Sequence, residues 1–304
     1  MKKLKVNIKV IQSGSNREFI LLKNSILLID PDKDNLKKYI KILFFLKNKK
    51  LNVPKIKKIY NNFVIIQNLG QKSLLNLFLK SKKNENSISY IQEKYKLILK
   101  EISKLYKINI KEEYGILKSI GIKNFDLKTL KWEWQYFIEN FLINYKGFSN
   151  FKIFKFYLLS EVFINTCYNV IKSFSTLIHR DLQSTNIIFY KNKPYLIDIQ
   201  GIMISNFLYD LASLLEDPYI NLPYKIKKNL LNYFFKINSH LIRFCKYYNY
   251  FKFQRLVQVL GAFSYLSIHK NKIFFIDQLK KISNLFHNLK QEKDYWAYLW
   301  DYLE

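Results

Sequence analysis

The segment from residue 177 to residue 201, LIHRDLQSTNIIFYKNKPYLIDIQG, constrains this chain more than any other segment. It contains the triplet His179-Arg180-Asp181, an asparagine five residues after that aspartate (Asn186), and a second aspartate, Asp198, after an apolar run. The turn formers at 191–194 separate two strand-like runs. The pattern predicts a loop, a short strand pair and a second loop, with polar side chains at the ends of the strands.

Three of these side chains have the types and the spacing that phosphoryl transfer to a hydroxyl requires. The Asp181 carboxylate can accept the proton of the hydroxyl as a general base. The amide oxygen of Asn186 and the carboxylate of Asp198 are hard ligands for Mg²⁺, with waters and phosphates completing the octahedron. We expect His179 to support the loop through hydrogen bonds. Arg180 either pairs with a nearby carboxylate or is exposed.

The pattern of residues 1–69 predicts a small β-rich lobe that binds the nucleotide. The pattern of residues 70–304 predicts a larger, mainly helical lobe that carries the catalytic and metal loops. A turn-forming run between the first two predicted strands could fold over phosphates with its backbone N–H groups. The run consists of Ser13, Gly14, Ser15 and Asn16. Further on, a strand ends in Gln67-Asn68-Leu69-Gly70, a candidate hinge. Backbone groups there, at Gln67 and Leu69, would bind the adenine of ATP.

The other predicted elements follow from apolar periodicity. The first helix is expected to begin at an N-cap formed by Asp34-Asn35 and to end at about Lys49. Further helices are expected over 73–80, 87–107, 127–145, 151–173 and 208–215. Residues 56–60 and 63–67 predict a hairpin through Asn61-Asn62. Residues 82–86 predict a solvated linker. Most aromatic residues of the 127–145 helix, such as Trp132 and Trp134, are expected in the core.

Composition limits the partners that this chain can have. The net charge of +28 favours anionic ligands, but the lysines are scattered, so we expect no nucleic-acid partner. No segment approaches the about 20 apolar residues of a membrane span, and the first residues do not predict a signal peptide. Cys167 and Cys245 lie in apolar helical patterns without metal-ligand spacing, so we expect two buried thiols and a cytoplasmic protein.

The motifs HRDLQSTN and LIDIQG resemble the catalytic and metal loops of the aminoglycoside phosphotransferase and choline kinase-like family, which has a protein-kinase-like fold. Three segments are most similar to one group within this family, the bacterial kinases that phosphorylate the anomeric hydroxyl of N-acetylmuramate and N-acetylglucosamine. The segments are LIDIQGIMISNFLYDLASLLEDPYINLP, GSNREF at 14–19, and the stretch from Phe253-Gln254-Arg255 to Ala262. The resemblance implies an α+β, bilobal fold, ATP and Mg²⁺ as cofactors, and a role in cell-wall sugar recycling.

The resemblance also implies roles for individual residues. Asp181 would be the base, Asn186 and Asp198 the Mg²⁺ ligands, and Asp210 a support for the catalytic loop. Residues near the substrate would be Gln200, Asp217 and Tyr219. The chain departs from most kinase-like folds because its third strand, at 26–30, lacks the lysine that binds the α- and β-phosphates. We take Arg17 as the candidate for that positive charge.

Two alternatives remain open at this point. One is a kinase for another metabolite, such as an aminoglycoside or a choline-like alcohol, although only 23 acidic residues argue against a pocket for polycations. The other is a catalytically idle protein that binds nucleotide or nucleic acid. The missing strand lysine favours the idle alternative, and the presence of Asp181, Asn186 and Asp198 opposes it.

Overall fold

The structure is a computed structural model that describes residues 9–12, 17–81, 87–272, 274–280 and 282. Its strands are β1 (Lys9–Gln12), β2 (Glu18–Leu21), β3 (Ser25–Ile29), β4 (Ile56–Ile59), β5 (Phe63–Gln67), β6 (Lys123–Asn124), β7 (Thr176–Ile178), β8 (Ile187–Tyr190), β9 (Lys193–Leu196) and β10 (Met203–Ser205). Its α-helices are α1 (Lys33–Asn48), α2 (Leu74–Ser81), α3 (Ser87–Tyr106), α4 (Ile110–Ile120), α5 (Leu127–Phe137), α6 (Asn150–Ser173), α7 (Leu208–Leu215), α8 (Tyr224–Ile237) and α9 (Tyr248–Ile268).

The chain divides into two compact units, each made of two stretches of sequence. The first unit comprises Met1–Ile122 and Ser184–Ile202, and the second comprises Lys123–Gln183 and Met203–Glu304. Helix α3 belongs to the first unit because it packs against β9. Helix α2 belongs to it because it packs against the 3₁₀ turn Ser184–Asn186. These units are therefore defined by packing, whereas the predicted lobes 1–69 and 70–304 follow the change from strands to helices along the sequence.

The first unit is built on a five-stranded antiparallel sheet in the order β1-β2-β3-β5-β4. The β4–β5 hairpin turns at Asn61-Asn62, where the sequence predicts it. Helix α1 begins two to three residues earlier than expected. Its N-cap is Asp32 rather than Asp34 or Asn35, because the Asp32 carboxylate accepts hydrogen bonds from the backbone N–H groups of both those residues.

The β8–β9 hairpin is attached to the first unit by backbone hydrogen bonds. The N–H of Phe189 donates to the carbonyl of Lys72 at 2.8 Å, and the N–H of Leu196 donates to that of Asn52 at 2.9 Å. Helix α4, which the periodicity did not predict, lies between α3 and the second unit in sequence. It is capped by the Asn109 side chain and ends at Gly121 in the left-handed conformation (φ 82°).

The second unit has an aromatic helical core around Trp134. This side chain is 2 % exposed and packs against Phe156, Phe163 and Phe253 from helices α6 and α9. Trp132, also expected in the core, is instead half exposed because it lies on the opposite side of α5. The predicted helix over 127–145 becomes π-helical at Ile138–Ile143.

A small sheet, β6-β10-β7, completes the second unit and leads into the loop after β7. Helix α7 has the predicted bounds, and all eight of its residues are buried. Both cysteines are free thiols, but Cys245 is only half-buried, which corrects the expectation of two buried thiols. Among the described helices, none has the length and apolar character that a membrane span needs.

Candidate functional site

The loop after β7 holds its conformation through Asp210, a fully buried residue of α7. The Asp210 carboxylate accepts hydrogen bonds from the backbone N–H of His179 at 2.7 Å and from that of Arg180 at 2.9 Å. Arg180 has a left-handed backbone (φ 72°), a conformation that is strained in a non-glycine residue. Two charge-assisted bonds to one carboxylate stabilise this strained turn. Asp210 thus makes contacts suited to the supporting role that the sequence suggested.

Asp181, the predicted base, follows directly and keeps 39 % of its side chain exposed. Its Oδ1 accepts a hydrogen bond from Nη2 of Arg255 on α9 at 2.7 Å. Its Oδ2 accepts a longer one, 3.4 Å, from Nε2 of Gln183. The carboxylate is therefore held on one side by a buried cation and is accessible to solvent on another.

A buried polar network lies behind this loop and centres on Glu133 of α5. The fully buried Glu133 carboxylate accepts hydrogen bonds from Tyr209 Oη, from Gln254 Nε2 at 2.9 Å and from Arg180 Nη2 at 3.2 Å. Burial raises the pKa of Glu133, while the Arg180 guanidinium opposes that rise. Of the two options left open for Arg180, the structure has the paired one.

The predicted substrate residues Asp217 and Tyr219 also belong to the second unit. Asp217 is almost fully buried, and its Oδ1 accepts a hydrogen bond from the Tyr219 N–H at 2.9 Å. The Tyr219 ring packs against Phe263 and Phe274. Burial raises the pKa of Tyr219, and the carboxylates of Asp217 and Asp181 raise it further. Tyr219 is thus within electrostatic reach of the predicted base.

The predicted Mg²⁺ ligands lie together in the first unit, at one end of the β8–β9 hairpin. The N–H of Ile197 donates to the Asn186 carbonyl at 3.0 Å, which extends the hairpin pairing towards Asp198. Asp198 is exposed and has a left-handed backbone (φ 59°). Gln200 donates a hydrogen bond from Nε2 to Asp198 Oδ1. Its own Oε1 is buried and lacks a hydrogen-bond partner among the residues that the structure describes.

The side-chain oxygens of these residues fit a magnesium ion that is bound together with phosphates. Mg²⁺ usually takes only one or two carboxylates from the protein and fills its octahedron with waters and phosphate oxygens. Asp198 and Asn186 supply one carboxylate and one amide, and the Oε1 of Gln200 is a further oxygen nearby. No cluster of three or more His, Cys, Asp or Glu side chains suited to a metal occurs in the described part of the chain. A Mg²⁺ ion that is bound together with phosphates does not require such a cluster.

Arg17 lies in a buried cluster of the first unit. Its Nε donates to Asp30 Oδ2 at 2.6 Å, and both side chains are less than 10 % exposed. The guanidinium carbon is 5.4 Å from the centre of the Tyr39 ring on α1. Burial raises the pKa of Tyr39; Arg17 lowers it and Asp198 raises it, so the three groups interact electrostatically. The phosphate-binding role predicted for Arg17 stays a prediction.

The predicted hinge lies elsewhere in the first unit, at the end of β5. Gln67 and Leu69 line a pocket of about 700 Å³ together with neighbouring lysines. The lysines are Lys23, Lys55 and Lys57. The predicted phosphate loop, Ser13 to Asn16, and the predicted linker, 82–86, lie outside the described residues.

Comparison with known proteins identifies the fold. The sequence matches no protein-family model and no curated protein. Among solved structures, an ADP-bound aminoglycoside phosphotransferase, APH(2″)-Ib, is 15 % identical with a TM-score of 0.58, over 92 % of this chain and 93 % of that one.

Two further solved structures are similar. The ethanolamine kinase of Plasmodium vivax is 18 % identical with a TM-score of 0.61, over 92 % of this chain and 82 % of that chain. The choline kinase of Cryptosporidium parvum Iowa II is 14 % identical with a TM-score of 0.56, over 95 % of this chain and 92 % of that chain. The chain therefore has the α+β, protein-kinase-like fold of aminoglycoside phosphotransferases, with a small sheet-rich N-terminal part and a larger helical part.

Proposed function

We propose that this protein is a cytoplasmic, ATP- and Mg²⁺-dependent kinase that phosphorylates a hydroxyl of a small molecule, most specifically the anomeric hydroxyl of an N-acetylated amino sugar. The observation that carries the proposal is the geometry of the Asp181 loop. Its backbone is fixed by Asp210, and the Asp181 carboxylate pairs with Arg255 through Oδ1 while the side chain remains 39 % exposed. The similar solved structures are named as phosphotransferases and kinases, which supports the same reaction class.

In this mechanism, bound ATP supplies the phosphoryl group and Mg²⁺ offsets the charge of its phosphates. Asn186 and Asp198 would hold the ion, and the backbone at Gln67 and Leu69 would hold the adenine. Asp181 orients the acceptor hydroxyl and takes its proton as the hydroxyl oxygen bonds to phosphorus and ADP leaves. The proton then passes to solvent, which reaches this carboxylate.

The charges around Asp181 support a sugar over a polycationic acceptor. Within the second unit, Arg255 already pairs with Asp181, and Tyr219 bonds to Asp217 through its backbone. Both of these carboxylates already have a partner, which makes them less suited to attracting the amino groups of an aminoglycoside. The aromatic faces of Tyr219 and Phe274 are flat apolar surfaces of the kind that suit a sugar ring.

The same aromatic residues favour a second candidate acceptor, a choline-like alcohol. The centre of the Tyr219 ring lies 5.9 Å from that of Phe263 and 6.3 Å from that of Phe274. Aromatic clusters also recognise quaternary ammonium groups through cation–π attraction. The two candidates differ in the charge of the acceptor, and a direct comparison of acceptors separates them.

ADP release with an acceptor panel tests the proposal. The panel consists of N-acetylmuramate, N-acetylglucosamine, choline, ethanolamine and an aminoglycoside. We expect the N-acetylated sugars to stimulate ADP release and Asp181→Asn to lower kcat by about 10² to 10⁴-fold, because the positioned base is lost. Preferential stimulation by choline would favour the second candidate. An Asp181→Asn variant as active as the wild type would exclude this residue as the base.

A further inference from the structure

Arg255 is a buried cation in direct contact with the predicted base. It lies on α9, its side chain is 8 % exposed, and its Nη2 donates to Asp181 Oδ1 at 2.7 Å. Its Nη1 donates to Gln258 Oε1 at 2.6 Å, and its guanidinium lies over the Tyr209 ring. Burial alone would lower the pKa of Arg255, but the charges of Asp181 and Tyr209 raise it, so the side chain stays cationic.

The helix that carries Arg255 is fixed in register by its neighbour in sequence. The Gln254 amide accepts a hydrogen bond from Trp134 Nε1 at 2.8 Å and donates one to Glu133 Oε2 at 2.9 Å. Further along α9, Gly261 allows close approach to α5, because a Cβ there would lie 3.0 Å from the Phe137 backbone. The backbone of α9 at Arg255 is thus placed by contacts with α5 on both sides of it along the helix.

We propose that Arg255 is a positioning residue for phosphoryl transfer, which holds the Asp181 carboxylate by Oδ1 so that Oδ2 is presented to the acceptor hydroxyl. An aspartate carboxylate on its own rotates freely, because its terminal torsion has a broad, two-fold profile. A charge-assisted bond from a rigid guanidinium removes that freedom. When Oδ2 takes the hydroxyl proton, the carboxyl group becomes neutral and Arg255 retains its charge.

The inference rests on the proposed function, so its test uses one readout that needs turnover and one that does not. In the kinetic readout, Arg255→Gln should lower kcat about 10²-fold with the KM for ATP within about threefold, since a misplaced base affects the chemical step. Gln183, which also donates to Asp181, and Tyr219 are unchanged in this variant.

The second readout is ¹³C NMR of aspartate labelled at the side-chain carboxyl, with Asp181→Asn used to assign the signal. At neutral pH the chemical shift of this signal should change in Arg255→Gln, because the carboxylate loses its charge-assisted hydrogen bond. Arg255→Lys keeps the charge but not the planar fork, so we expect a smaller loss of kcat and a smaller change in chemical shift. This variant also covers the case in which Arg255→Gln does not fold.

Lys252→Gln is the matched control. Lys252 is a buried cation on the same helix, three residues before Arg255, and it lies 4.0 Å from a different carboxylate, Glu216. We expect it to leave kcat and the chemical shift of the Asp181 signal unchanged. If Arg255→Gln behaves like Lys252→Gln in both readouts, Arg255 has no positioning role. If the wild type phosphorylates no acceptor, the proposed function fails, and the NMR comparison still decides whether Arg255 positions the Asp181 carboxylate.

Discussion

Each of the two units contains a close arginine–aspartate ion pair, and the two pairs differ in the burial of the aspartate. Arg17 and Asp30 are 8 % and 6 % exposed, at 2.6 Å. Arg255 and Asp181 are 8 % and 39 % exposed, at 2.7 Å. A carboxylate without access to solvent can only stabilise its partner, whereas one with access can also meet a substrate. The same two residue types are thus arranged so that only the aspartate of the second pair is open to a substrate, as the proposed function requires.

The largest effect on stability is expected from breaking the fully buried pair. Arg17→Gln leaves the Asp30 carboxylate, which is 6 % exposed, without its counter-charge, which should cost about 3–5 kcal/mol in the free energy of unfolding. Arg255→Gln should cost only about 1 kcal/mol, because the Asp181 carboxylate that it leaves is 39 % exposed and water screens its charge. Urea denaturation of both variants measures the difference. Equal losses would mean that burial of the aspartate does not distinguish the pairs.

A smaller effect is expected from displacing α9, which moves only the second pair. In Gly261→Ala the new Cβ would lie 3.0 Å from the Phe137 backbone, so α9 must shift, at a cost of about 1–3 kcal/mol. Because α9 carries Arg255, kcat should fall although residue 261 is part of neither ion pair. Steady-state kinetics and denaturation of the same sample test this. A stability loss with unchanged kcat would contradict the link between α9 and Asp181.

The smallest net effect on stability is expected from replacing the buried pair as a whole. Arg17→Met combined with Asp30→Leu should be within about 1 kcal/mol of the wild type, because apolar residues of similar volume often substitute for a buried pair without loss. The same variant tests the phosphate role predicted for Arg17. That role requires the KM for ATP to rise about tenfold or more, and an unchanged KM would exclude it.

The local elements of the fold follow from the sequence, and the long-range pairs do not. Turn chemistry at Asn61-Asn62 and the apolar run of α7 are short-range signals, and both elements have the predicted positions. The cap at Asp32 was missed because Asp34 and Asn35 are equally good capping types, and only the backbone decides which one caps. Helix α4 was missed because its first turns are polar and solvent-exposed.

The candidate site shows the same limit. Asp181, Asn186 and Asp198 were found because they lie within one short segment. Arg255 is 74 residues from Asp181, and Glu133 is 47 residues from Arg180, so spacing says nothing about either contact. A signal was present nonetheless. Arg255 lies within a run of buried residues, 251–257, and a charge at a core position needs a partner.

The interleaving of the two units has a consequence for synthesis on the ribosome. The β8–β9 hairpin belongs to the first unit but is encoded after residue 183, beyond α5 and α6. Until it emerges, α2 and α3 can pack against each other but lack β8 and β9, and Asn52 and Lys72 lack their hairpin hydrogen bonds. The nascent first unit therefore stays incomplete while about 60 residues of the second are made, and this order favours assistance by chaperones over simple domain-by-domain folding.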